Sequence, residues 1–412
     1  MKILIIGNGG RESAIAEKLQ GDTRIEAFFF ATGNATTEKL GKNIQITDSG
    51  KLRDFALKEQ IDLTIVGPEV SLVEGIVDEF LKAGLKIFGP KKRTAQLEGS
   101  KAYSKKFMQQ HGVKTAKAIV FDAYQDAVDY VEKQTYPLVV KASGLASGKG
   151  VVICKDVENA KATLYSFMID RIFGDAGIKV IVEEFLKGFE ASVIAFSNGK
   201  KLFPCIAAKD YKKVGNGDKG LNTGGMGSVA PSPEFTPENY DDFRKNIMEP
   251  TLKGLQDDML EFKGFIFFGL MITRNGTYLL EYNMRLGDPE TQSLLPLLEN
   301  NLLDVILDCI EGKDVELKFS DKKAVCLVLC SGGYPGNFDI GYEITGLEKV
   351  KHSQVLLAGA KYKADRLVTT GGRVLNLVAT GDTYEEARKK VYEDALPVQF
   401  DYEYYREDIA KF

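Results

Sequence analysis

Short apolar segments alternate with amphipathic helical segments over roughly the first 95 residues of the chain. Residues 2–6 are predicted to form a strand, and the motif Gly-Asn-Gly-Gly-Arg-Glu at residues 7–12 leads into a helix that runs to about Leu19. Further segments follow, with strands predicted at 25–31, 44–47, 63–67 and 86–89 and helices at 52–60 and 72–83. Strands and helices in this order predict an α/β domain whose parallel sheet is doubly wound, with helices on both faces.

Three polar, glycine-bearing loops, at 7–12, 67–69 and 88–90, fall at the carboxyl ends of these strands, where such sheets bind ligands. The first loop approximates a dinucleotide fingerprint, but Glu12 occupies the last glycine position and no acidic residue ends the second strand. A nicotinamide site is therefore not predicted. Two interpretations remain for this helix N-terminus: a phosphate or carboxylate site helped by Arg11, or a purely structural tight turn.

A strand, a glycine- and lysine-rich loop and a second strand follow one another between Val139 and Val152. Lys141, Gly144, Gly148, Lys149 and Gly150 provide ammonium groups and backbone that phosphate can approach closely. The spacing differs from the P-loop, because only three residues separate the first two glycines and a strand follows instead of a helix. The segment is interpreted as a flap that closes over a nucleotide, and the alternative is a solvated glycine hairpin.

Composition excludes several classes of protein. A net charge of −4 gives no electrostatic case for nucleic acid or an anionic membrane as partner. The longest apolar run, residues 265–272, is too short to span a bilayer. The five cysteines are odd in number and most lie in apolar runs, which indicates buried thiols in a reducing compartment. No signal peptide is recognised, so a cytoplasmic location is expected.

The flap lies within a predicted small α+β unit. A helix over 101–110 precedes it and places Lys101 and Lys105 on one face. After the strand at 180–184, the segment of Glu183, Glu184 and Leu186 turns into another strand at Glu190. Free backbone groups at such an edge could bind adenine, while Glu190 could accept hydrogen bonds from ribose hydroxyls. The alternative is that the glutamates are ordinary surface carboxylates.

Residues 209–229 have the most unusual composition in the chain. The segment begins Lys-Asp-Tyr-Lys-Lys, with Asp210 second, and its core is Asn222-Thr223-Gly224-Gly225-Met226-Gly227. This core is too rich in glycine for periodic structure. A long loop between apolar strands is usually functional or disordered, and here a functional loop is favoured.

A hairpin is predicted from strands at 263–273 and 278–282 joined by an Asn-Gly turn. Strand alternation places Glu281 and Asn283 on one face, as two oxygen donors suited to magnesium. Arg285 follows on that face as a forked donor for carboxylate or phosphate. Such a dense group of polar side chains would be costly to bury without an ion, and the alternative is an accidental surface run.

The predicted architecture is α/β overall, an α+β multidomain chain with three domains. These are an N-terminal substrate-binding domain at 1–100, a two-part domain at 101–318 that contains the flap subdomain at about 114–187, and a small α+β domain at 319–412. The last domain has no catalytic constellation and is interpreted as one that closes against the others.

The order of these motifs resembles the phosphoribosylamine–glycine ligase family of the ATP-grasp superfamily. The resemblance runs from end to end of the chain. The flap loop indicates ATP-grasp, and the 222–227 loop together with the run from Arg285 to Gln292 narrows the resemblance to this family. It implies a carbon–nitrogen ligase of purine synthesis that joins glycine to 5-phosphoribosylamine, cleaves ATP to ADP and phosphate, and forms an acyl phosphate of glycine on the way.

The resemblance also implies roles for individual residues. Lys105 and Lys141 would hold ATP phosphates under the flap, backbone at Glu184 and Leu186 would contact adenine, and Glu281 with Asn283 would bind Mg²⁺ or Mn²⁺. Arg285, Lys141 and Asp210 would be catalytic. The implied substrate-binding residues are Asn8, Gly9, Gly10, Arg11, Glu69, Asp210, Asn222, Thr223, Gly225, Met226, Gly227, Arg285, Asp288 and Thr291. A monomer is expected, with a weak homodimer as the alternative.

Five positions depart from the family pattern: Ser13 and Tyr211 stand where histidine is usual, Lys209 where glutamine is, Ser143 where aspartate is, and Leu221 where proline is. No histidine is therefore assigned as a general base. The first strand of the hairpin also lacks the second metal carboxylate that many ATP-grasp relatives have, which makes Asp288 a candidate to supplement the site. Two other functions remain open: another ATP-grasp ligase or carboxylase, and a regulatory relative that binds nucleotide without turnover.

Overall fold

The N-terminal sheet consists of five parallel strands, as predicted, in a computed structural model that describes residues 1–146 and 149–412. In spatial order the strands are Lys42–Ile44, Ala27–Thr32, Lys2–Gly7, Leu63–Val66 and Ile87–Phe88. The helices of this region are Gly10–Leu19, Ala35–Leu40, Ser49–Glu59, Glu69–Glu74, Ile76–Lys82, Lys92–Gly99 and Lys101–Gln110.

Both faces of this sheet are buried. Ile3 and Ile5 of the first strand pack in one hydrophobic cluster with Ile15 of the first helix, whereas Leu4 and Ile6 belong to a second cluster on the opposite face. Alternate residues of a strand point to opposite faces, so an apolar run of this kind is what a doubly wound sheet requires. The doubly wound prediction is confirmed.

The predicted helix at 72–83 is wrong in one respect: two short helices, Glu69–Glu74 and Ile76–Lys82, occupy this region. Gly75 separates them with a φ of +103°, a left-handed conformation that glycine adopts without steric cost. The apolar periodicity continues across the break, and for this reason the sequence pattern does not reveal it.

The flap subdomain has a four-stranded antiparallel sheet, in the order Ala118–Phe121, Val180–Glu184, Leu138–Ala142 and Val151–Cys154. Helices Tyr124–Val131 and Val157–Met168 pack on it, with a 3₁₀ turn at Gly174–Gly177. The flap loop therefore connects two neighbouring antiparallel strands, as predicted. Ser147 and Gly148 lie outside the described residues.

The central sheet carries the predicted hairpin. Its strands, in spatial order, are Leu202–Pro204, Phe189–Asn198, Lys263–Thr273 and Gly276–Asn283. Around it lie helices Pro237–Phe243, Glu249–Asp257, Glu290–Leu294 and Leu302–Glu311, with a π turn at Arg244–Met248 between the first two.

The C-terminal sheet includes strands from the predicted middle domain. In spatial order its strands are Lys209–Asp210, Gly227–Ala230, Lys323–Ser331, Arg373–Gly381 and Gln354–Leu357, and Glu403–Tyr404 also pairs with Lys323–Ser331. Helix Tyr384–Ala395 packs on this sheet, and a hairpin of Ala360–Lys363 and Arg366–Thr369 lies beside it, with a 3₁₀ turn at Leu347–Lys349.

The glycine-rich segment 209–229 is more regular than predicted. Its two ends are strands of the C-terminal sheet, and strands Lys213–Gly215 and Lys219–Asn222 pair in a separate two-stranded ribbon. Residues 211–212 and 223–226 lie outside these strands, and residues 216–218 form the turn of the ribbon. Backbone pairing across the ribbon does not need an apolar side-chain pattern, so composition alone gave no signal for it.

Within the described residues, no helix combines the length and the apolar character needed to cross a membrane.

The N-terminal sheet meets the central sheet at two glycines. Gly89 pairs with Lys263 in an isolated antiparallel bridge, and a methyl group added at Gly264 would lie 2.8 Å from the Gly89 Cα. A side chain at this position would therefore force the backbones of the two sheets apart.

We expect Gly264→Ala to lower the free energy of unfolding by about 1–3 kcal/mol, the usual cost of overpacking a tight contact. The matched control is Gly50→Ala, because a methyl group there would meet nothing closer than 3.4 Å. Urea unfolding of both variants, followed by circular dichroism, makes the comparison. Equal midpoints for the two variants would show that the approach of the two sheets is not tight.

Candidate active site

A cavity of about 1030 Å³ lies between the flap, the central sheet and the glycine-rich segment. It collects most of the residues that the sequence singled out, although these are spread over more than half of the chain. The predicted site residues that line it are Arg11, Glu69, Lys105, Lys141, Lys149, Gly150, Glu183, Glu190, Asp210, Asn222, Thr223, Glu281, Asn283, Arg285 and Asp288.

Glu281 and Asn283 both face this cavity because of an irregularity in their strand. The register between the hairpin strands shifts between Gly269 and Leu270, where Gly269 pairs with Glu281 and Leu270 pairs with Leu279. Leu279 is buried in the apolar core, so strict alternation would turn Glu281 inward too. The bulge brings the carboxylate and the amide oxygen to the cavity side.

Three lysines surround the Glu281 carboxylate. Burial by itself would raise the pKa of Glu281, but the ammonium groups of Lys212, Lys101 and Lys141 outweigh this effect and hold its pKa below the ordinary value. Glu281 is therefore ionised at neutral pH. An ionised carboxylate and a neighbouring amide oxygen form a donor pair that hard divalent cations prefer.

Lys105 and Lys141 share one carboxylate. Glu183 is 3% exposed, and its two oxygens lie 3.0 Å from the Lys105 Nζ and 2.7 Å from the Lys141 Nζ. Lys105 also donates a hydrogen bond to the Thr115 hydroxyl at 2.7 Å. The geometry thus assigns Glu183 to orienting the two ammonium groups, whereas the sequence grouped it with residues that contact nucleotide.

Arg285 is held by two carboxylates. Its Nη2 lies 2.9 Å from Glu98 and its Nε lies 3.6 Å from Glu69, and Nη2 also donates to the Asn283 side-chain oxygen at 3.3 Å. Glu98 in addition accepts a hydrogen bond from the Met284 N–H at 2.6 Å. Burial would lower the pKa of Arg285, but Glu98 and Glu69 outweigh this and raise it. Arg285 is thus a fixed cation beside the metal-type donors.

Asp210 presents an unpaired carboxylate oxygen. No hydrogen-bond partner for its Oδ1 is found in the described part of the chain. Burial and the nearby Glu290 carboxylate raise the pKa of Asp210 well above its ordinary value. Beside it, Lys212 forms an ion pair with Glu190 at 2.8 Å. Burial and Glu290 therefore favour the protonated form of Asp210 more than water favours that of an exposed aspartate.

The loop at 7–12 lines a second cavity of about 690 Å³ through Asn8, Gly9 and Gly10. Glu12 folds back under this loop, where its carboxylate accepts hydrogen bonds from the Gly9 N–H at 2.6 Å and from the Arg11 Nε at 2.6 Å. The Gly9 N–H is therefore not available to a substrate anion. Glu12, which stands at the last glycine position of the dinucleotide fingerprint, thus puts its own carboxylate where a substrate anion would otherwise bind.

Arg373 connects the two cavities. It donates hydrogen bonds to the backbone oxygens of Gly224, at 2.5 Å, and of Asp288, at 2.8 Å, and its guanidinium pairs with the Asp288 carboxylate at 3.2 Å. Asp288 also accepts a hydrogen bond from Gln292 at 2.7 Å. Asp288 is therefore engaged by a cation and an amide, which makes it a poor supplement to a metal site.

Several predicted site residues lie elsewhere. Glu184, Leu186, Gly144, Gly225, Met226, Gly227 and Thr291 are not among the residues that line either cavity, and Gly148 lies outside the described residues. Met226 packs in the hydrophobic core, Gly227 is a strand residue of the C-terminal sheet, and the Thr291 hydroxyl donates to the Gly287 carbonyl at 2.6 Å. The structure gives these last three residues packing roles.

Sequence reasoning missed several residues that line the main cavity: Glu98, Lys101, Lys212, Glu290, Tyr334 and Arg373. The sequence did give one indication that Lys101 belongs to the site, because Lys101 shares a helix face with Lys105. In the structure its Nζ donates to the Gly144 carbonyl at 3.3 Å, which ties the flap loop to this helix. Across the described residues, no group of three or more His, Cys, Asp and Glu side chains has the arrangement of a metal site.

Comparison with known proteins finds similarity to one family along the whole chain. Three family descriptions match: "Phosphoribosylglycinamide synthetase, N domain" at 1–98, its "ATP-grasp (A) domain" at 99–291, and its "C domain" at 324–412. A phosphoribosylamine–glycine ligase of Clostridium acetobutylicum is 48% identical, with 100% of both chains covered.

Solved structures agree with these matches. A crystal structure of phosphoribosylamine–glycine ligase from Thermotoga maritima is similar to the chain with a TM-score of 0.87 and 35% identity, covering 99% of this chain and 100% of that one. A biotin carboxylase domain of Hydrogenobacter thermophilus, in complex with magnesium ADP and bicarbonate, has a TM-score of 0.76 at 14% identity and covers 98% and 91% of the two chains. The second likeness concerns the fold alone.

The fold and the lysine-lined cavity are those of an ATP-grasp enzyme. Within that class, the matches to all three domains and the identity with full-length relatives determine the family. The chain belongs to the phosphoribosylglycinamide synthetase family, also called phosphoribosylamine–glycine ligase. It is therefore a ligase of the kind that forms a carbon–nitrogen bond.

The buried Glu183 makes stability depend on pH in a defined direction. Burial would raise its pKa, but Lys141 and Lys105 outweigh burial and hold the pKa below the ordinary value. In the unfolded chain this pKa returns to about 4.3. The ionised carboxylate therefore stabilises the folded state above about pH 4.3, and this contribution is lost as the pH falls through the folded-state pKa.

We expect Glu183→Gln to lower the free energy of unfolding at pH 7 by about 3–5 kcal/mol, because two buried lysines lose their partner. The deficit should shrink as the pH falls below about 4.3. Glu132→Gln is the control, since Glu132 is exposed and pairs with the partly exposed Lys161, and little change is expected. Urea titrations at several pH values test this, and a deficit independent of pH would contradict the ion-pair assignment.

Proposed function

We propose that the chain joins glycine to 5-phosphoribosylamine and cleaves ATP to ADP and phosphate, which yields glycinamide ribonucleotide for purine synthesis. The observation that carries the proposal is one cavity in which Glu281, Asn283 and Arg285 meet the lysines of the flap. Family membership over the full length supports the choice of substrates.

The proposed reaction has two steps. An oxygen of the glycine carboxylate attacks the γ-phosphorus of ATP, the bond to the bridging oxygen breaks, and ADP leaves with glycyl phosphate as the product. The amino nitrogen of phosphoribosylamine then attacks the acyl carbon, phosphate departs, and the nitrogen loses a proton. Phosphoryl transfer of this kind depends on positioning and charge neutralisation more than on a proton-transfer group.

Phosphate binding is assigned to the cations around the cavity. Lys105, Lys141 and Lys149 would contact ATP phosphates, with Gly144–Gly150 as the covering loop, and Arg285 would stabilise the transferring group. Glu183 keeps two of these lysines oriented and is not itself expected to contact nucleotide. Lys101 joins this set, because it lines the same cavity beside Lys105 and Lys141.

A divalent cation, Mg²⁺ or Mn²⁺, fits the donor set of Glu281 and Asn283. The ionised carboxylate and the amide oxygen share one face of the strand and open onto the cavity. When bound, such an ion neutralises phosphate charge and orients the phosphate chain. Glu281 and Asn283 would hold it, and Lys212 would balance the charge of Glu281 in its absence.

Nucleoside recognition is proposed at the edge of the same cavity. Backbone at Glu184 and Leu186 would contact adenine and Glu190 would accept from ribose hydroxyls. Glu190 supports this assignment, because it lines the cavity while paired with Lys212. Glu184 and Leu186 lie outside the cavity lining, so adenine would have to extend beyond it.

The acceptor substrate is proposed to occupy the side of Asp210, Asn222 and Thr223, and to reach toward Asn8, Gly10 and Glu69. The second cavity supports this direction, since Asp288 and Arg373 line both cavities. Asp210, whose Oδ1 has no hydrogen-bond partner among the described residues, is proposed to accept in its ionised form the proton that the attacking nitrogen loses.

The domain limits of 1–100, 101–318 and 319–412 remain part of the proposal, as does action in the cytoplasm as a monomer. All five cysteines are buried and free, which is consistent with a reducing compartment. Small molecules are the proposed partners, with neither nucleic acid nor membrane involved.

The substrate assignment is tested by measuring ADP release with glycine alone, with glycine plus phosphoribosylamine, and with bicarbonate in place of glycine. We expect sustained ADP release only when glycine and phosphoribosylamine are both present. Release that requires bicarbonate would instead indicate a carboxylase, and nucleotide binding without any release would indicate a regulatory protein.

Glu281→Gln is expected to lower kcat by about 10²–10³-fold, because the variant loses one preorganised charge at the phosphates. Arg285→Lys should have a comparable effect, since lysine lacks the forked donor geometry. Glu316→Gln, a change at an exposed residue, is the matched control. Circular dichroism checks the fold, and a kcat within twofold of the wild type in either variant would refute the role given to that residue.

A further inference from the structure

The ribbon of Lys213–Gly215 and Lys219–Asn222 forms one wall of the main cavity. Lys213, Asp218 and Asn222 all line that cavity, on the side assigned to the acceptor substrate. The ribbon pairs only with itself among the described strands. Because an isolated two-stranded ribbon is marginally stable in water, other contacts must hold this wall in place.

Arg406 supplies the central contact. It is 1% exposed, and its Nη1 donates hydrogen bonds to the Lys213 carbonyl at 3.0 Å and to the Asp218 carboxylate at 2.8 Å. Its Nε and Nη2 bind the two oxygens of Asp408, each at 2.7 Å. The buried guanidinium therefore joins the first strand and the turn of the ribbon to a forked ion pair with Asp408.

Neighbouring residues of the C-terminal segment repeat this attachment through further hydrogen bonds. The Tyr404 hydroxyl donates to the Val214 carbonyl at 2.7 Å, and the Glu407 N–H donates to the Asn216 side-chain oxygen at 3.0 Å. Asp408 accepts a hydrogen bond from the Gly217 N–H at 2.7 Å. The turn of the ribbon and one of its strands are thus attached directly to residues 404–408.

The same segment also reaches the residue next to Asp210. The Tyr211 hydroxyl accepts a hydrogen bond from the Ala410 N–H at 3.1 Å, and the Arg406 guanidinium lies 5.2 Å from the centre of the Tyr211 ring. Tyr392 fixes the segment to the preceding helix, because its hydroxyl donates to the Arg406 carbonyl at 2.6 Å.

We propose that Arg406 is a positioning residue that holds the ribbon and the Asp210 region in the form that receives the acceptor substrates. The proposal rests on the proposed function. Arg406 does not itself line the cavity, so its effect passes through Lys213, Asp218 and Tyr211. Without it, binding of the acceptor would have to order the ribbon at the cost of apparent affinity.

The test compares Arg406→Met, Arg406→Lys and the control Arg366→Met, whose arginine is 67% exposed in its side chain. We expect Arg406→Met to raise the KM for glycine or phosphoribosylamine at least tenfold and to leave the KM for ATP within twofold. Amide hydrogen exchange of residues 213–222 should become faster while exchange in the central sheet is unchanged. Arg406→Lys should change both the KM and the ribbon exchange rate less than Arg406→Met does, because lysine keeps the positive charge and one hydrogen-bond donor.

Tyr404→Phe keeps the test decisive if Arg406→Met does not fold, since it removes a single hydroxyl. We expect faster exchange in the ribbon and a smaller increase in the same KM. Unchanged ribbon exchange, or an equal rise of all three KM values, would overturn the proposal. A wild-type protein inactive on glycine and phosphoribosylamine would refute the proposed function, and the exchange data would still decide the role of Arg406.

Discussion

The balance of buried charge around Glu281 and Glu183 is the constraint on which the cavity depends. Lys101, Lys141 and Lys212 act on Glu281, and Glu183 lies between Lys105 and Lys141. Isolated buried charges are expensive, so each ammonium group needs a carboxylate before any ligand arrives. The same cations can then share their charge with phosphate at little cost of rearrangement, because they are already desolvated and oriented.

The backbone places these charges through small irregularities. A bulge turns Glu281 and Asn283 away from the core. Gly89 and Gly264 allow the N-terminal sheet to approach strand Lys263–Thr273, which pairs with the strand of Glu281 and Asn283. Arg285 then meets Glu98 from the N-terminal region at 2.9 Å. The arrangement of Glu281, Asn283 and Arg285 therefore depends on contact between two sheets, and side chains of the hairpin alone would not define it.

Local pattern predicted the parts of the site that are continuous in the sequence. Glu281, Asn283 and Arg285 lie within five residues, and the flap is a strand, a loop and a strand, so alternation and glycine content were sufficient. Glu98 and Arg373 act through contacts with partners far away in sequence, which no periodicity encodes. The substrate contacts of Met226 and Thr291 stay predictions, although both side chains turn inward, which a polar or glycine-rich neighbourhood does not reveal.

The C-terminal sheet explains how one ATP-grasp scaffold can serve a particular acceptor. Asp210 and Gly227 stand in strands that extend this sheet, whereas Glu281 belongs to the central sheet. The proposed phosphate-binding side and the proposed acceptor side of the cavity are therefore built on different sheets. Strands at a sheet edge and the loops between them accept new sequences more readily than a packed hairpin does, so the proposed acceptor side can change while the proposed phosphate-binding side is kept.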